Sequence, residues 1–256
     1  MGLIGISGKI ASGKDTVAHI IQYLTADIQY KIPFKIMDAD ETMVDRWDYL
    51  GNWKVKKFAD KLKECVSLII GIPRKDLEKE EVKRKVLGEE WMYYVTLNFG
   101  TDKYEKYSYL GNQDKYPSIP HATTVREILQ LFGTEVGRQI HPDTWVNALF
   151  TDYKIIDKRS FHDPDDSNID YVNWIITDVR FKNELEAIKD RGGIVIRVNS
   201  NFIDHVNKIT RVDFENDHLS ETALDNAIFD YTINNNGTIE ELVEKVKEIL
   251  IKEKIL

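Results

Sequence analysis

Cysteine is almost absent: Cys65 stands alone in 256 residues, so no internal disulfide can form and a disulfide-stapled secreted scaffold is excluded. Its neighbours Leu62, Val66 and Ile69 suggest a buried helical thiol. Long apolar runs are missing too. Nothing approaches the roughly 20 residues needed to cross a bilayer, and the start Met1-Gly2-Leu3-Ile4-Gly5 has no basic leader region, so a cytoplasmic protein without a membrane partner is expected. Positive charge is in short supply, with 35 Lys+Arg against 43 Asp+Glu and a net charge of -8. That balance is a poor footprint for a polyphosphate backbone, and polymeric nucleic acid is not an expected partner. His121, His141, His162, His205 and His218 share no metal-ligand spacing, and no Ser/His/Asp arrangement can be drawn from the spacing either.

What is there is a chain with 42% hydrophobic residues, long enough for one sizeable α/β core with insertions. Leu3, Ile4, Gly5, Ile6 and Ser7 form a short apolar run, followed by a glycine loop and then by Val17, Ile20, Ile21 and Leu24 at i, i+3, i+4 and i+7. This reads as strand, loop, helix. A second strand is expected over residues 56–59, then a helix with Leu62, Val66, Ile69 and Ile70 as its apolar face. Residues 75–87 read as a charged helical stretch, and 91–116 as an aromatic excursion. Val125, Ile128, Leu129, Phe132 and Val136 stripe another helix, and Pro142-Asp143-Thr144 opens a further one. Residues 157–170 are a polar loop. Runs at 174–177, 194–198 and 231–233 read as buried strands, with a helix over 183–190 between the first two. Thr238-Ile239-Glu240-Glu241 caps the last helix. Alternating strands and helices predict an α/β fold with a parallel sheet covered on both faces, a three-layer sandwich.

The motif Gly8-Lys9-Ile10-Ala11-Ser12-Gly13-Lys14 fits G-x-x-x-x-G-K and lies between that strand and that helix. Glycines let main-chain N–H groups curl around an anion, and the helix N-terminus adds about half a positive charge. Lys14 then reaches the β- and γ-phosphates of a nucleotide. The next residue is Asp15, where the motif calls for a hydroxyl on Mg²⁺, and Thr16 comes one place late. A carboxylate beside a triphosphate makes sense with a cation between them, the favoured reading, or as a helix N-terminal charge turned away.

Asp178 ends an apolar run, at the strand edge where open α/β sheets hold ligands. It is either a second acid for Mg²⁺ or the cap of the helix starting near Phe181. Arg180 either bridges donor and acceptor phosphates or makes a surface ion pair. On the helix from Val125, Arg126, Gln130, Gly133 and Gly137 share one strip. Glycine costs a helix roughly 1 kcal/mol relative to alanine, so something packs closely there, either substrate or another helix. Arg126 and Arg138 are the candidates for holding an acceptor phosphate, against the alternative of ordinary solvated arginines.

Taken together, the strings GKIASGKDT (8–16), FADKLK (58–63), REILQLFGTEVGR (126–138), TDVRFKNE (177–184), HLSE (218–221) and NNGT (235–238) resemble the bacteriophage deoxynucleoside monophosphate kinases. The resemblance implies an adenylate-kinase-like P-loop fold with a five-stranded parallel sheet, a monophosphate-binding excursion, and a lid over ATP. It implies one kinase domain: a core of about 1–24, 55–72 and 141–256, an insertion at 25–54, an acceptor excursion at about 73–140 and a lid at about 200–218. The implied substrates are ATP, with Mg²⁺, and a deoxynucleoside monophosphate, handled in the host cytoplasm by a monomer or homodimer. On that pattern Gly8, Lys9, Ala11, Ser12, Gly13, Lys14, Asp15 and Thr16 hold the triphosphate, Asp15 and Asp178 the metal, and Arg126, Gln130, Gly133 and Arg138 the acceptor. Arg211 would be a lid arginine, and Asn235 and Gly237 would lie near adenine, although Asn-Asn-Gly is also a good turn. Two alternatives stay open: a P-loop kinase of another phosphorylated metabolite, of the dephospho-coenzyme A or phosphomevalonate type, and a nucleotide-dependent switch.

Overall fold

The computed structural model describes residues 2–26, 34, 53–98, 103–107, 118–153, 156–157, 169–170, 173–201 and 222–256. They form two compact units, Met1–Phe58 with Trp145–Leu256, and Ala59–Thr144.

The first unit is built on β1 (Leu3–Ser7), whose five residues are all buried. Unbroken burial is the mark of a strand covered on both faces, and it lies in the middle of a sheet. Its partners are β2 (Trp53–Lys56), β8 (Asn173–Val179), β9 (Ile194–Asn199) and β10 (Tyr231–Asn234), in the order β10-β9-β1-β8-β2. All four pairings are parallel, with Ile4 opposite Ile175 and Ile194. The expected five-stranded parallel sheet is therefore present.

On one face, α1 (Lys14–Thr25) and α8 (Ile239–Lys252) bury Val17, Ile20, Ile21, Leu242, Val246 and Leu250 against Ile4, Ile6, Ile175, Ile196 and Ile233. The Thr238 hydroxyl starts α8 by accepting the Glu241 N–H at 3.3 Å. The other face takes α7 (Lys182–Lys189), and Gly5 lets Ile188 pack against it: a Cβ there would stand 2.7 Å from Ile188 Cδ1. Beyond α6 (Thr144–Phe150), Phe150 stacks on Trp174 with ring centroids 6.4 Å apart.

In the second unit, Val66 of α2 (Ala59–Ile70), Leu77 of a 3₁₀ turn (Arg74–Glu78) and Val125 of α4 (Val125–Gln130) are fully buried together. A three-stranded antiparallel sheet, β4-β3-β5, is built from β3 (Tyr93–Asn98), β4 (Lys103–Tyr107) and β5 (Ser118–His121). The aromatic excursion thus contains strands.

Several expectations need correction. The second strand is Trp53–Lys56, not 56–59, because buried Trp53 anchors it earlier. Residues 75–87 are that 3₁₀ turn and one short turn of helix, α3 (Glu80–Lys83), rather than a continuous helix. Ile156–Asp157 and Ile169–Asp170, β6 and β7, pair antiparallel at the ends of the polar segment. Cys65 is exposed. The face of α2 that packs inward carries Leu62, Lys63, Val66 and Ile70, and Cys65 lies about 100° away from Val66, beside Glu64 and exposed Leu68. Val136 is 44% exposed, with Gly137 buried in its place. The cause is a π-helical stretch, Leu131–Val136, joining α4 to α5 (Gly137–Ile140). Its wider turns delay the register by one residue, so the position following Phe132 on the packed face is i+5 rather than i+4. Most of the expected 25–54 insertion lies outside the described residues; among those described, Phe34 is buried and meets Tyr23 edge-on at 5.5 Å.

Charge also ties the second unit together. Glu78 receives Lys63 Nζ at 2.6 Å and Arg74 at 2.5 Å, and Arg74 also reaches Asp60 at 2.8 Å. Burial pushes the Glu78 carboxyl up, but these two cations outweigh it and hold the group at about 2, against an ordinary 4.5. A depressed folded value means stabilisation that is complete above the unfolded value of 4.5 and lost as pH falls toward 2. Glu78→Gln should therefore lower the urea midpoint at pH 6 to 7, with the gap from wild type closing below about pH 4.5. A gap independent of pH would show that the Glu78 charge contributes nothing.

Candidate active site

The chain leaves the sheet at Ser7 and re-enters regular structure at Lys14, so residues 8–13 must reverse direction within six residues. Two left-handed residues achieve it, Ala11 (φ 56) and Gly13 (φ 94). Gly13 adopts that conformation freely, whereas Ala11 carries roughly 1–2 kcal/mol of strain, of the kind found at ligand-binding loops. Gly8 is required by space, since a Cβ there would stand 2.5 Å from both the Val198 carbonyl and Ser12 Oγ. Ser12 N donates to the Lys9 carbonyl at 3.2 Å. Lys14 Nζ bends back across the loop to the carbonyls of Gly8 (2.8 Å) and Lys9 (2.7 Å).

That curl fits an anion. The N–H groups of the first turn of α1 have no intrahelical acceptor, which is general for helix starts. The Ser12 hydroxyl is buried and has no hydrogen-bond partner among the described residues. A buried hydroxyl without a partner costs stability unless a ligand engages it.

Asn235 comes to this loop from the end of β10, where its Nδ2 donates to the Ser12 carbonyl at 3.0 Å. It braces the cradle. Gly237 lies just beyond, before α8, and Thr16 is half-buried in the first turn of α1. Arg197 of β9 was not foreseen: it donates to Ser7 Oγ at 3.1 Å and pairs with Asp225 at 3.3 Å, fixing the residue from which the loop departs. No motif marks it, because the contact depends on which strand lies beside β1.

The two acids lie close by. Asp178 Oδ1 accepts the Phe58 N–H at 2.8 Å, while Asp15 Oδ1 lies 3.2 Å from Lys57 Nζ. Consecutive residues thus tether both carboxylates to one corner of the chain. Mg²⁺ takes hard oxygen ligands, commonly one or two carboxylates with phosphate oxygens and water, and this donor set fits it. Arg180 leads into α7, whose start is capped by buried Glu184, the carboxylate accepting the N–H groups of Arg180 (2.8 Å) and Phe181 (3.0 Å). The N-cap position of α7 is Phe181, not Asp178, and Glu184 at the third helical position folds back over it.

The second unit carries the arginine helix. Thr124 and Glu127 close a capping box at the start of α4, and His121 Nε2 also meets Glu127 Oε1 at 2.7 Å. Burial pushes the Glu127 carboxyl up, but the Thr124 N–H and the His121 ring outweigh it and hold it low. Arg126 is ion-paired with Glu80, which also receives Lys83 Nζ at 2.8 Å. Lys83 chiefly, with Arg126, keeps the Glu80 carboxyl below its ordinary range. Gln130 is exposed. A Cβ at Gly133 would stand 2.9 Å from Leu62 Cδ2, so a neighbouring helix accounts for the close packing at this glycine. Arg138 donates to the Pro142 carbonyl at 3.2 Å. Arg211 and most of the expected lid lie outside the described residues.

Among known proteins, the deoxynucleotide monophosphate kinase family profile matches residues 2–246. The deoxynucleotide monophosphate kinase of Escherichia phage RB69 is 27% identical over 267 residues, covering 98% of this chain and 100% of its own. The deoxynucleoside-5'-monophosphate kinase of Escherichia phage T5 is 26% identical, covering 87% and 84%. The deoxynucleotide monophosphate kinase of Enterobacteria phage T4 is 24% identical, covering 98% and 99%.

The cradle geometry sets an expectation for Gly8→Ala. The new methyl must displace either the Val198 carbonyl or Ser12, so ADP affinity should fall roughly tenfold or more (about 1.4 kcal/mol) with the far-ultraviolet circular dichroism unchanged. Wild-type affinity in the variant would show that the loop does not hold the nucleotide.

Proposed function

The chain belongs to the deoxynucleotide monophosphate kinase family, and from that membership we propose that it moves the γ-phosphate of ATP, with Mg²⁺, onto the 5'-phosphate of a deoxynucleoside monophosphate. The family's relatives phosphorylate such monophosphates, and this chain is a kinase of the same reaction class. The single observation that carries the ATP assignment is the loop at 8–14, curled and strained, with Lys14 across it and the Ser12 hydroxyl without a partner among the described residues.

In this reading Gly8, Lys9, Ala11, Ser12, Gly13 and Thr16 cradle the β- and γ-phosphates through main-chain N–H groups and hydroxyls, and Lys14 exchanges its two loop carbonyls for phosphate oxygens. Asn235 and Gly237 flank the nucleotide beyond the last strand. Asp178 and Asp15 are the residues that would hold Mg²⁺, whose role when bound is to neutralise charge on the phosphate oxygens. Arg126, Gln130 and Arg138, on the acceptor excursion at about 73–140, hold the monophosphate, while Gly133, expected beside them, packs against Leu62 instead. Arg126 gives up Glu80 for the phosphate, and Arg180 steadies the transferring group.

No general base is required. A phosphate monoester has a second pKa near 6 and is largely dianionic at pH 7, so its oxygen attacks the γ-phosphorus directly. The bond from the γ-phosphorus to the β-bridging oxygen breaks, and ADP leaves as the deoxynucleoside diphosphate forms. What the protein supplies is position and positive charge. Its setting, by analogy with the phage relatives, is the host cytoplasm.

An ATP-coupled assay over deoxy- and ribonucleoside monophosphates tests this. Turnover is expected with at least one deoxynucleotide, Lys14→Ala should lose roughly 10²-fold or more of kcat, and Arg126→Ala should raise KM for the monophosphate more than for ATP. Normal turnover by Lys14→Ala, or ATP hydrolysis indifferent to every monophosphate, would overturn the assignment.

A further inference from the structure

The kinase reading employs the Asp15 carboxylate, immediately after the phosphate-reaching lysine, only when Mg²⁺ is bound; without the metal that carboxylate needs another counter-charge. At the start of α1 a carboxylate is welcome while no anion is bound, because the helix N-terminus carries partial positive charge. Once a polyphosphate occupies the loop, the same carboxylate faces like charge. Asp15 is 65% exposed.

The structure places a cation on it. Lys57 Nζ lies 3.2 Å from Asp15 Oδ1, and the lysine side chain is only 31% exposed. Its position is built by the fold rather than by a loose surface chain. On one side, β2 ends at Lys56, in register with Ile176 of β8. On the other, Phe58 is buried, donates its N–H to Asp178 Oδ1 at 2.8 Å, and packs edge-on against Phe150 with centroids 6.2 Å apart. Lys57 is the residue held between these two anchors. Strands β1, β8 and β2 are parallel, so the corner lies at the sheet edge where the loop begins.

We propose that Lys57 is a positioning residue of the phosphate site: its ammonium neutralises Asp15 so that a nucleotide polyphosphate can enter the loop, even in the absence of a divalent cation. The proposal rests on the reading that residues 8–14 hold that polyphosphate. It goes beyond it in assigning the lysine a function through Asp15. Without Lys57 the loop would present an uncompensated carboxylate to the incoming anion; without both residues it would present neither.

The decisive experiment is calorimetric titration of ADP in EDTA, so that no metal contributes and no turnover is read. Lys57→Met should weaken ADP about tenfold, while Lys57→Arg, which keeps the charge, should stay within about threefold of wild type. Adding Asp15→Asn to Lys57→Met should restore affinity to within about threefold, a coupling that a merely structural lysine would not show. Should Lys57→Met fail to fold, Lys57→Gln with and without Asp15→Asn supplies the same cycle. Unchanged affinity in the single variant, or a double variant as weak as the single, overturns the proposal. Lys14→Ala, titrated alongside, separates the two claims. If it too binds normally, the loop reading itself fails; if it loses ADP while Lys57→Met does not, only the role of Lys57 falls.

Discussion

The constraint on which the rest depends is the reversal of the main chain between β1 and α1. Six residues must turn the backbone from a buried central strand into a helix through two left-handed residues, and that geometry is unfavourable unless held from outside. The protein holds it from four directions. Lys14 ties the carbonyls of Gly8 and Lys9, Asn235 ties that of Ser12, Arg197 fixes Ser7, and Val198 closes against Gly8. Three of these braces come from β9 and from just past the end of β10, so the sheet order helps make the loop possible. Ala11 is strained within it, and the Ser12 hydroxyl is buried without a partner among the described residues, a cost that a bound anion would relieve.

Electrostatics then explains why a chain with net charge -8 serves an anionic ligand. Charge that matters is local. Cations are paired with carboxylates throughout: Lys57 with Asp15, Arg126 with Glu80, and Lys63 and Arg74 with Glu78. Pairs of this kind fix long side chains in defined places, and in the proposed reaction Arg126 exchanges its carboxylate for phosphate. The Glu78 cluster instead fastens α2 to the 3₁₀ turn within the second unit, and its value is structural.

The sheet, its two flanking helices and the phosphate loop were legible in the sequence because each rests on local pattern. Continuous apolar runs named β1, β8 and β9; periodicity named α1 and α8; and glycine spacing named the cradle. What escaped depends on tertiary neighbours. Arg197 and Lys57 belong to no motif, and their roles come from the strand order β9-β1-β8-β2. Asn235, expected near adenine or as part of a turn, donates to the Ser12 carbonyl. The π-helical stretch 131–136 broke the stripe at Val136, since a register shift leaves no compositional trace. Cys65 sat beside apolar neighbours in sequence, but only the Leu62, Val66 and Ile70 side of α2 meets a core. The acceptor candidates Arg126 and Arg138 were picked from charge and spacing. The structure gives each a partner, Glu80 and the Pro142 carbonyl.

The central claim is that the main chain of residues 8–14 grips the nucleotide's phosphates. The most direct measurement is an amide-resolved ¹⁵N NMR titration with ADP. The account predicts that the largest shifts fall on the N–H groups of residues 9–16 and on the side-chain amide of Asn235, saturating together. Saturable binding that leaves these amides unmoved while another part of the chain shifts would contradict it.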